Sequence, residues 1–344
     1  MFSLTRTPIV FLTGFFVAAL PLQAAEIDKY LPNDADTVVT INVQQILAAP
    51  LVKTHYAASL PELLKSNEDI QKLIKGVGID PLKDIDQLVF TNGESLYRLT
   101  KRVDKGKTIY GSEGGYFFLV KGRFDVAKFR AFGDQLAKDK DSLLVKTHRV
   151  GSASLYELNV GRIIFLGVLD STTLAVSSRQ EPVAEALEKA AGKRKTALKY
   201  KELAPAVAKI DAKKSVGIAV LGNAGFGLDA DLKKVGGKVI EIPVKQTISQ
   251  DGIDSINGSI NVAEDITGSV TVGVRGAAAA KDVAKALQED LTEGIDLILR
   301  GLFKYPKLGP VAEFIKAINV TVKDNKTVTI QANVTAKQVA DALK

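Results

Sequence analysis

The chain has no cysteine and no tryptophan, one methionine and two histidines among 344 residues. Without cysteine it cannot form a disulfide, a thiolate zinc site, an iron–sulfur cluster or a cysteine nucleophile. Two histidines exclude a three-histidine metal centre. Catalytic motifs are missing as well. There is no G-x-S-x-G elbow, no S-x-x-K and no H-E-x-x-H. Long apolar runs are equally scarce. The one at Ile9–Leu20 has 12 residues, whereas a membrane-spanning helix needs about 20. Arg162 and Asp170 close off the apolar stretch between them. The expectation is therefore a chain with no cofactor, no metal, no recognisable catalytic residue and no transmembrane span after its N-terminus.

The remaining composition is globular. Hydrophobic residues make up 46% and charged residues 25%, enough to build packed cores rather than a disordered chain. Residues 1–25 have the three regions of a secretory signal peptide. Arg6 is the basic start, Ile9–Leu20 the apolar centre, and Pro21 followed by LQAA offers cleavage after Ala24 or Ala25. The mature chain is expected in the periplasm or outside the cell. It keeps 45 basic residues against 39 acidic ones, a net +6. That excess suits contact with an anionic envelope polymer or an envelope protein, and it is too small for a nucleic-acid-binding profile.

Beyond residue 25 the pattern predicts an α+β fold of two similar halves, 26–195 and 196–344. Each is an antiparallel sheet with helices packed on one face. Thr37–Val43 is β-branched and opens the first half. Helical pieces follow to Gly76, interrupted by Pro50 and Pro61. Asn67 is placed to cap the last piece and Gly76 to end it. Asp80-Pro81 has the form of an N-cap followed by a first-turn proline, and Asp125 caps a helix with Val126, Phe129, Phe132 and Leu136 inward. Strands are expected at 87–91, 116–121, 143–150, 154–158, 162–169 and 173–177, then a helix near 182–191.

The second half repeats the order. Ser215–Leu221 answers Thr37–Val43, and 268–276 answers 115–122. A helix is then expected with Leu287, Leu291, Ile295, Ile298 and Leu302 on one face. The turns Asp170-Ser and Asp324-Asn occupy the same place in two hairpins, and Val183-Ala-Glu-Ala-Leu187 matches Val339-Ala-Asp-Ala-Leu343. This points to an internal duplication. The basic stretch 192–200 reads as a solvated linker between the halves.

Weak chemical motifs fail on inspection. Gly106-Lys-Thr108 resembles the end of a P-loop, but Lys101 stands where the first glycine must be. Gly225-Phe-Gly with Glu241 suggests a dinucleotide site but lacks a full crossover helix. The acids Asp34/Asp36, Asp80/Asp84/Asp86 and Asp229/Asp231 lack calcium-loop spacing and suit caps and turns. His55 and His148 sit in unrelated contexts. Asn257, Asn319, Asn325 and Asn333 begin N-x-[ST] triplets, which β-strand composition explains. One segment stands out from the repeat, an arm at 95–110. Its alternation predicts a strand from Leu96 to Arg102, a turn at Val103–Gly106 and a return at Lys107–Tyr110. Tyr97, Arg98, Arg102, Lys107 and Tyr110 form the candidate interaction surface, because tyrosine and arginine are enriched where interfaces carry their energy.

Several segments resemble an uncharacterised family of exported, planctomycete-type bacterial proteins. They are Leu31-Pro-x-Asp34 running into Thr37–Val43, Gln45-Ile-Leu47 with Pro50-Leu-Val52, Gly78–Asp86, Val120–Asp125, and the hairpin from Val320 to Ile330. The chain departs from that pattern at 92–114, where a short Gly-rich link is replaced by the arm. The resemblance implies fold and export, not chemistry. The functional expectation is an exported, non-enzymatic binding or structural component of the cell envelope. The alternatives are a soluble carrier with an apolar ligand between sheet and helices, near Phe117, Phe129 and Leu136, and a hydrolase marked by convergent buried carboxylates with raised pKa values.

Overall fold

The computed structural model describes residues 29–65, 68–104, 107–138, 145–159, 162–222, 233–235, 238–239, 252–277, 279–288, 313, 316–324 and 326–342. The signal-peptide segment, Asn67, the Gly225 segment with Glu241, Asp229/Asp231, Asn325 and the helical positions from Leu291 to Leu302 lie outside them.

The first half opens with strand β1 (Ala35–Asn42), whose β-branched run suits a pleated, buried position. Four short helices follow: α1 (Val43–Ala48), α2 (Pro50–His55), α3 (Ser59–Lys65) and α4 (Glu68–Val77). Pro50 falls in the first turn of α2, where its missing N–H costs nothing. The expected stop at Gly76 is displaced. α4 runs through it and ends at Gly78, whose φ of 70° is the left-handed value that glycine supplies freely. Gly76 has a different role, because a Cβ there would lie 2.0 Å from the Phe132 ring.

Asp80 accepts from the Leu82 N–H at 3.1 Å and caps α5 (Pro81–Asp84) as its spacing predicts. Then come β2 (Ile85–Gly93), a 3-10 turn (Glu94–Leu96), β3 (Tyr97–Asp104), β4 (Lys107–Gly114) and β5 (Phe117–Gly122). Helix α6 (Val126–Lys138) starts where Asp125 accepts from the Lys128 N–H at 3.0 Å. The half closes with β6 (Val145–Val150), β7 (Ala153–Asn159), β8 (Ile163–Asp170), β9 (Thr173–Ser177) and α7 (Gln180–Ala190).

The second half comprises α8 (Leu203–Val207), β10 (Val216–Leu221), β11 (Lys233–Val235), β12 (Lys238–Val239), β13 (Ile253–Val262) and β14 (Ile266–Val274). A helix over 279–288 (α9), β15 (Asn319–Asp324), β16 (Thr327–Val334) and α10 (Ala336–Ala342) complete it.

Twelve strands form one sheet in the order β15-β16-β14-β13-β10-β1-β2-β5-β9-β8-β7-β6. All its pairings are antiparallel. The halves meet where β1 pairs with β10, with Val39 opposite Ile218. Outward from that seam the order is β1-β2-β5-β9-β8 on one side and β10-β13-β14-β16-β15 on the other. Strands at corresponding steps also hold corresponding places in the two chain halves. The first half adds β7 and β6 beyond that common order.

Side chains alternate across the pleat, so each strand divides between two layers. On one face of the first half, Val38, Val89, Leu119, Ala175 and Leu155 pack under α7 and α8 through Val183, Leu187, Leu203 and Val207. Each such fully buried aliphatic side chain contributes about 1.5–3 kcal/mol relative to exposure. On the opposite face, Val168 and Leu174 pack under Val77 of α4 and Phe129 of α6. In the second half this opposite face packs Val272, Val328 and Val320 under Ala280 and Val283 of α9. The α+β class stands as expected. The helix cover differs in the first half, where it lies on both faces of the sheet.

Candidate functional site

The candidate surface is the hairpin β3–β4, which forms a two-stranded sheet of its own, separate from the twelve strands. Tyr97, Arg98 and Arg102 lie on β3, and Lys107 and Tyr110 on β4. The register sets Arg98 opposite Glu113, Lys101 opposite Tyr110, Arg102 opposite Ile109 and Asp104 opposite Lys107. Both strands reach beyond the expected lengths, so the hairpin is a full ladder of eight residues a side.

One part of the expected arm belongs elsewhere. Leu96 is fully buried in the first-half core, and Ser95 is tied to the body. The alternation from Leu96 onward holds only from Tyr97, since Glu94–Leu96 forms a 3-10 turn. That turn is the root of the arm. The Gly115 N–H donates to the Leu96 carbonyl at 2.6 Å, closing the hairpin at its base. Ser95 Oγ donates to Asp34 at 3.1 Å, and the Tyr116 N–H donates to Ser178 Oγ at 3.0 Å.

Glu94, in the same turn, is engaged from another direction. It accepts from Lys199 Nζ at 2.6 Å and from the Tyr200 hydroxyl at 2.8 Å. Those bonds, the one from Lys199 first, hold its carboxyl below the usual carboxylate range. Lys199 and Tyr200 lie in the stretch expected to be a solvated linker. Its residues are largely exposed, yet the chain there is pinned. The Lys199 N–H donates to the Asn33 carbonyl at 2.6 Å, the Ala197 N–H to Asn33 Oδ1 at 3.0 Å, and Thr196 Oγ1 to the Lys29 carbonyl at 2.8 Å. The N-terminal segment, the arm's root and the junction between halves thus meet at one place. None of these long-range ties has a local sequence signal.

Asp36 adds a titrating group near this root. It is buried, its pKa is pushed up chiefly by desolvation, and Thr37 Oγ1 donates to it at 2.9 Å. Asp34 and Glu94 contribute smaller upward pressure. A carboxyl whose folded pKa lies above its unfolded value binds its proton more tightly in the fold. The stability it supplies is complete below the ordinary value of 3.8 and is lost as pH rises through the raised value. Asp36→Asn keeps the acceptor for Thr37 and removes the charge. Thermal melts should show the variant above wild type at pH 7 and level with it near about pH 3.5. A variant that melts lower at pH 7 would refute the desolvation account.

Other candidates disperse. His148 on β6 meets Glu157 on β7 at 2.8 Å, at the last strand of the sheet. His55 ends α2, which packs against the other half through Leu51, Val52, Val334 and Val339. The two histidines do not form a pair. Phe117 and Phe129 belong to cores on opposite faces of the sheet, so the two do not line one space between sheet and helices. Asp84 accepts from the Asp80 N–H at 2.8 Å, which gives both residues structural partners. At the root, Asp36 has a raised pKa while that of Glu94 is lowered, which is not the pair of raised carboxyls a hydrolase reading needs.

No protein-family model matches the chain, and no curated sequence does. Among solved structures, crystal forms III and I of the treponemal protein TP0453 each align with 92% of this chain and with 96% and 95% of theirs, at a TM-score of 0.45 and 7% identity. Crystal form IV of TP0453 aligns at a TM-score of 0.41 and 9% identity, covering 92% of this chain and 95% of that one.

Proposed function

We propose that the chain is an exported, non-enzymatic protein of the cell envelope that engages a partner through the hairpin β3–β4. The observation that carries this reading is the hairpin's construction. It leaves the main sheet as a separate ladder, yet its root is held by a fully buried leucine and by ties to three distant segments. A solvated excursion has no need of such a root, whereas a binding element gains by being held in place before the partner arrives. Export is supported by the three-region N-terminus. The resemblance to an uncharacterised family of exported bacterial proteins supports export as well. The matching strand order on both sides of the seam supports an origin by internal duplication, and the arm interrupts only one copy.

The test is a variant with Tyr97, Arg98, Arg102 and Tyr110 all changed to Ser. None of the four lies in the buried root, so its melting temperature should stay within about 2 °C of wild type. Used as bait in envelope extract, wild type should recover partners that the variant loses. Recovery of the same partners by both, at the same salt, would remove the arm as the contact.

A further inference from the structure

The sheet face under α7 and α8 changes character at the seam. In the first half it is apolar and covered. In the second half, strands β13, β14, β16 and β15 present hydroxyl and amide side chains on that same face. The register aligns them in rows. One row runs Asn257, Thr271, Thr329, Thr321. The next runs Ser259, Ser269, Gln331, Asn319. A third, shorter row contains Thr267 opposite Asn333. These rows contain no charged, aromatic or aliphatic side chain. The N-x-[ST] triplets at Asn257 and Asn319 are part of this pattern, because positions i and i+2 of a strand share a face.

The surface is hollowed rather than flat. A depression of about 600 Å³ lies among Ser259, Ser269, Asn319 and Gln331, and two more of about 340 and 220 Å³ adjoin it. Ser269 borders all three. Lys214, Lys323 and Lys209 stand at the margins, the last beside Asp211. In the smallest depression Asn257 Oδ1 is buried and has no hydrogen-bond partner among the described residues. A buried acceptor left unpaired is destabilising, and a ligand donor placed there would satisfy it. The α9 core packs against the other face of these strands.

We propose that this face binds an extended, β-linked, uncharged glycan chain lying across the strands. Adjacent strands are about 4.8 Å apart, close to the length of one sugar unit in such a chain. Each row therefore offers one hydroxyl or amide per sugar over four strands. These groups both donate and accept, as sugar hydroxyls do. A protein partner would ask for apolar anchors, which the rows lack, and an anionic polymer would ask for more than three marginal lysines, one of them beside Asp211.

The test uses the full chain on chitin, a β-linked polymer of N-acetylglucosamine, with α-linked amylose as the control. Wild type should be retained by chitin and not by amylose, and retention should persist at about 0.5 M salt because no ion pair carries it. Ser269→Ala/Thr271→Ala/Gln331→Ala should weaken retention roughly tenfold or more. Should that triple variant not fold, Ser269→Gln, which fills the point shared by the three depressions, should give a loss of the same kind. The four-serine arm variant should bind chitin as wild type does, which separates this face from the arm. Passage of wild type through chitin, equal retention by the triple variant, or elution by salt would each overturn the proposal.

Discussion

Gly122→Ala should cost the chain about 3 kcal/mol or more, at the upper end of what overpacking does. Gly122 ends β5 at a bulge, where β2 carries one extra residue between the pairs Ile85–Gly122 and Gln87–Lys121. A Cβ at this position would lie 1.9 Å from the Asp84 carbonyl oxygen and 3.1 Å from the Ile85 Cα. Both are backbone atoms, so no side-chain rotation relieves the clash. The carbonyl cannot swing away cheaply either. It accepts from the Arg123 N–H at 2.9 Å, while the Gly122 N–H donates to the Thr172 carbonyl at 2.9 Å. The added methyl must break that bond or shift α5 off the sheet. A contrast is available at Gly192, where φ is 69° and nothing lies within 4 Å of a Cβ. There only the left-handed backbone resists a side chain, and Gly192→Ala should cost about 1 kcal/mol. Urea unfolding of both variants checks the pair. A Gly122→Ala loss no larger than that of Gly192→Ala would show that the backbone gives way more easily than this geometry states.

The features legible in the sequence are those that local chemistry decides. Asp80 and Asp125 cap helices because an acceptor at that position meets an orphan N–H two or three residues on. β1, β9 and β10 emerge where β-branched residues cluster. β13 has no strand expectation, although it is the longest strand of the sheet. Its apolar residues Ile253, Ile256 and Ile260 are spaced three and four apart, a helical interval, and Asn257, Gly258 and Ser259 are poor strand formers. Pairing with β10 on one side and β14 on the other overrides that local preference. The seam between β1 and β10 joins segments nearly 180 residues apart, and no periodicity encodes it.

The candidate arm is legible as an excursion because it breaks the repeat. Its root is not. Asp34 and Ser95 are 61 residues apart, and Glu94 and Lys199 are 105 apart. Each looks in sequence like an ordinary exposed polar residue. The linker reading of 192–200 falls short for the same reason, since the stretch is exposed but tied to the body. Gly192 closes α7 in a Schellman motif, its N–H bonded to the Lys189 carbonyl and the Lys193 N–H to the Glu188 carbonyl. The residues after it then run back along the N-terminal segment instead of leaving the body. The polar face of the second half was visible only as scattered N-x-[ST] triplets until the register placed them side by side.

Lys189→Ala should destabilise the chain by about 3 kcal/mol, against the few tenths expected of an exposed helical i,i+4 pair. The pair with Glu185 is obvious in the sequence, and its burial is not. Lys189 is 1% exposed and Glu185 14%, and they meet at 2.8 Å. Lys189 Nζ also donates to the Leu31 carbonyl, and Glu185 Oε1 accepts from the Asn33 N–H at 2.9 Å. The pair therefore clasps the N-terminal segment onto α7 beside the fully buried Leu31. Removing the ammonium leaves a carboxylate in a poorly solvated site with Arg194, at 3.3 Å, as its remaining ion-pair partner. That residual pairing keeps the loss near the lower end for a broken buried pair.

Three measurements separate this account from simple loss of packing. Lys189→Met, which keeps the stem, should remain destabilised, and adding Glu185→Gln should recover about 2 kcal/mol, because the amide still accepts from Asn33 without an unpaired charge. The Asn33 amide should exchange faster in Lys189→Ala than in wild type. The pH dependence has a fixed sign. Burial holds the Lys189 pKa below its ordinary 10.5, so its ammonium is costlier in the fold than in the unfolded chain. The stability tied to this group is complete above 10.5 and is lost as pH falls through the lowered value. A methionine does not titrate, so the deficit of Lys189→Met relative to wild type should widen from pH 7 to about pH 10. A deficit that stays constant, or a double variant no more stable than the single one, would place the loss in packing around the stem and not in the charge pair.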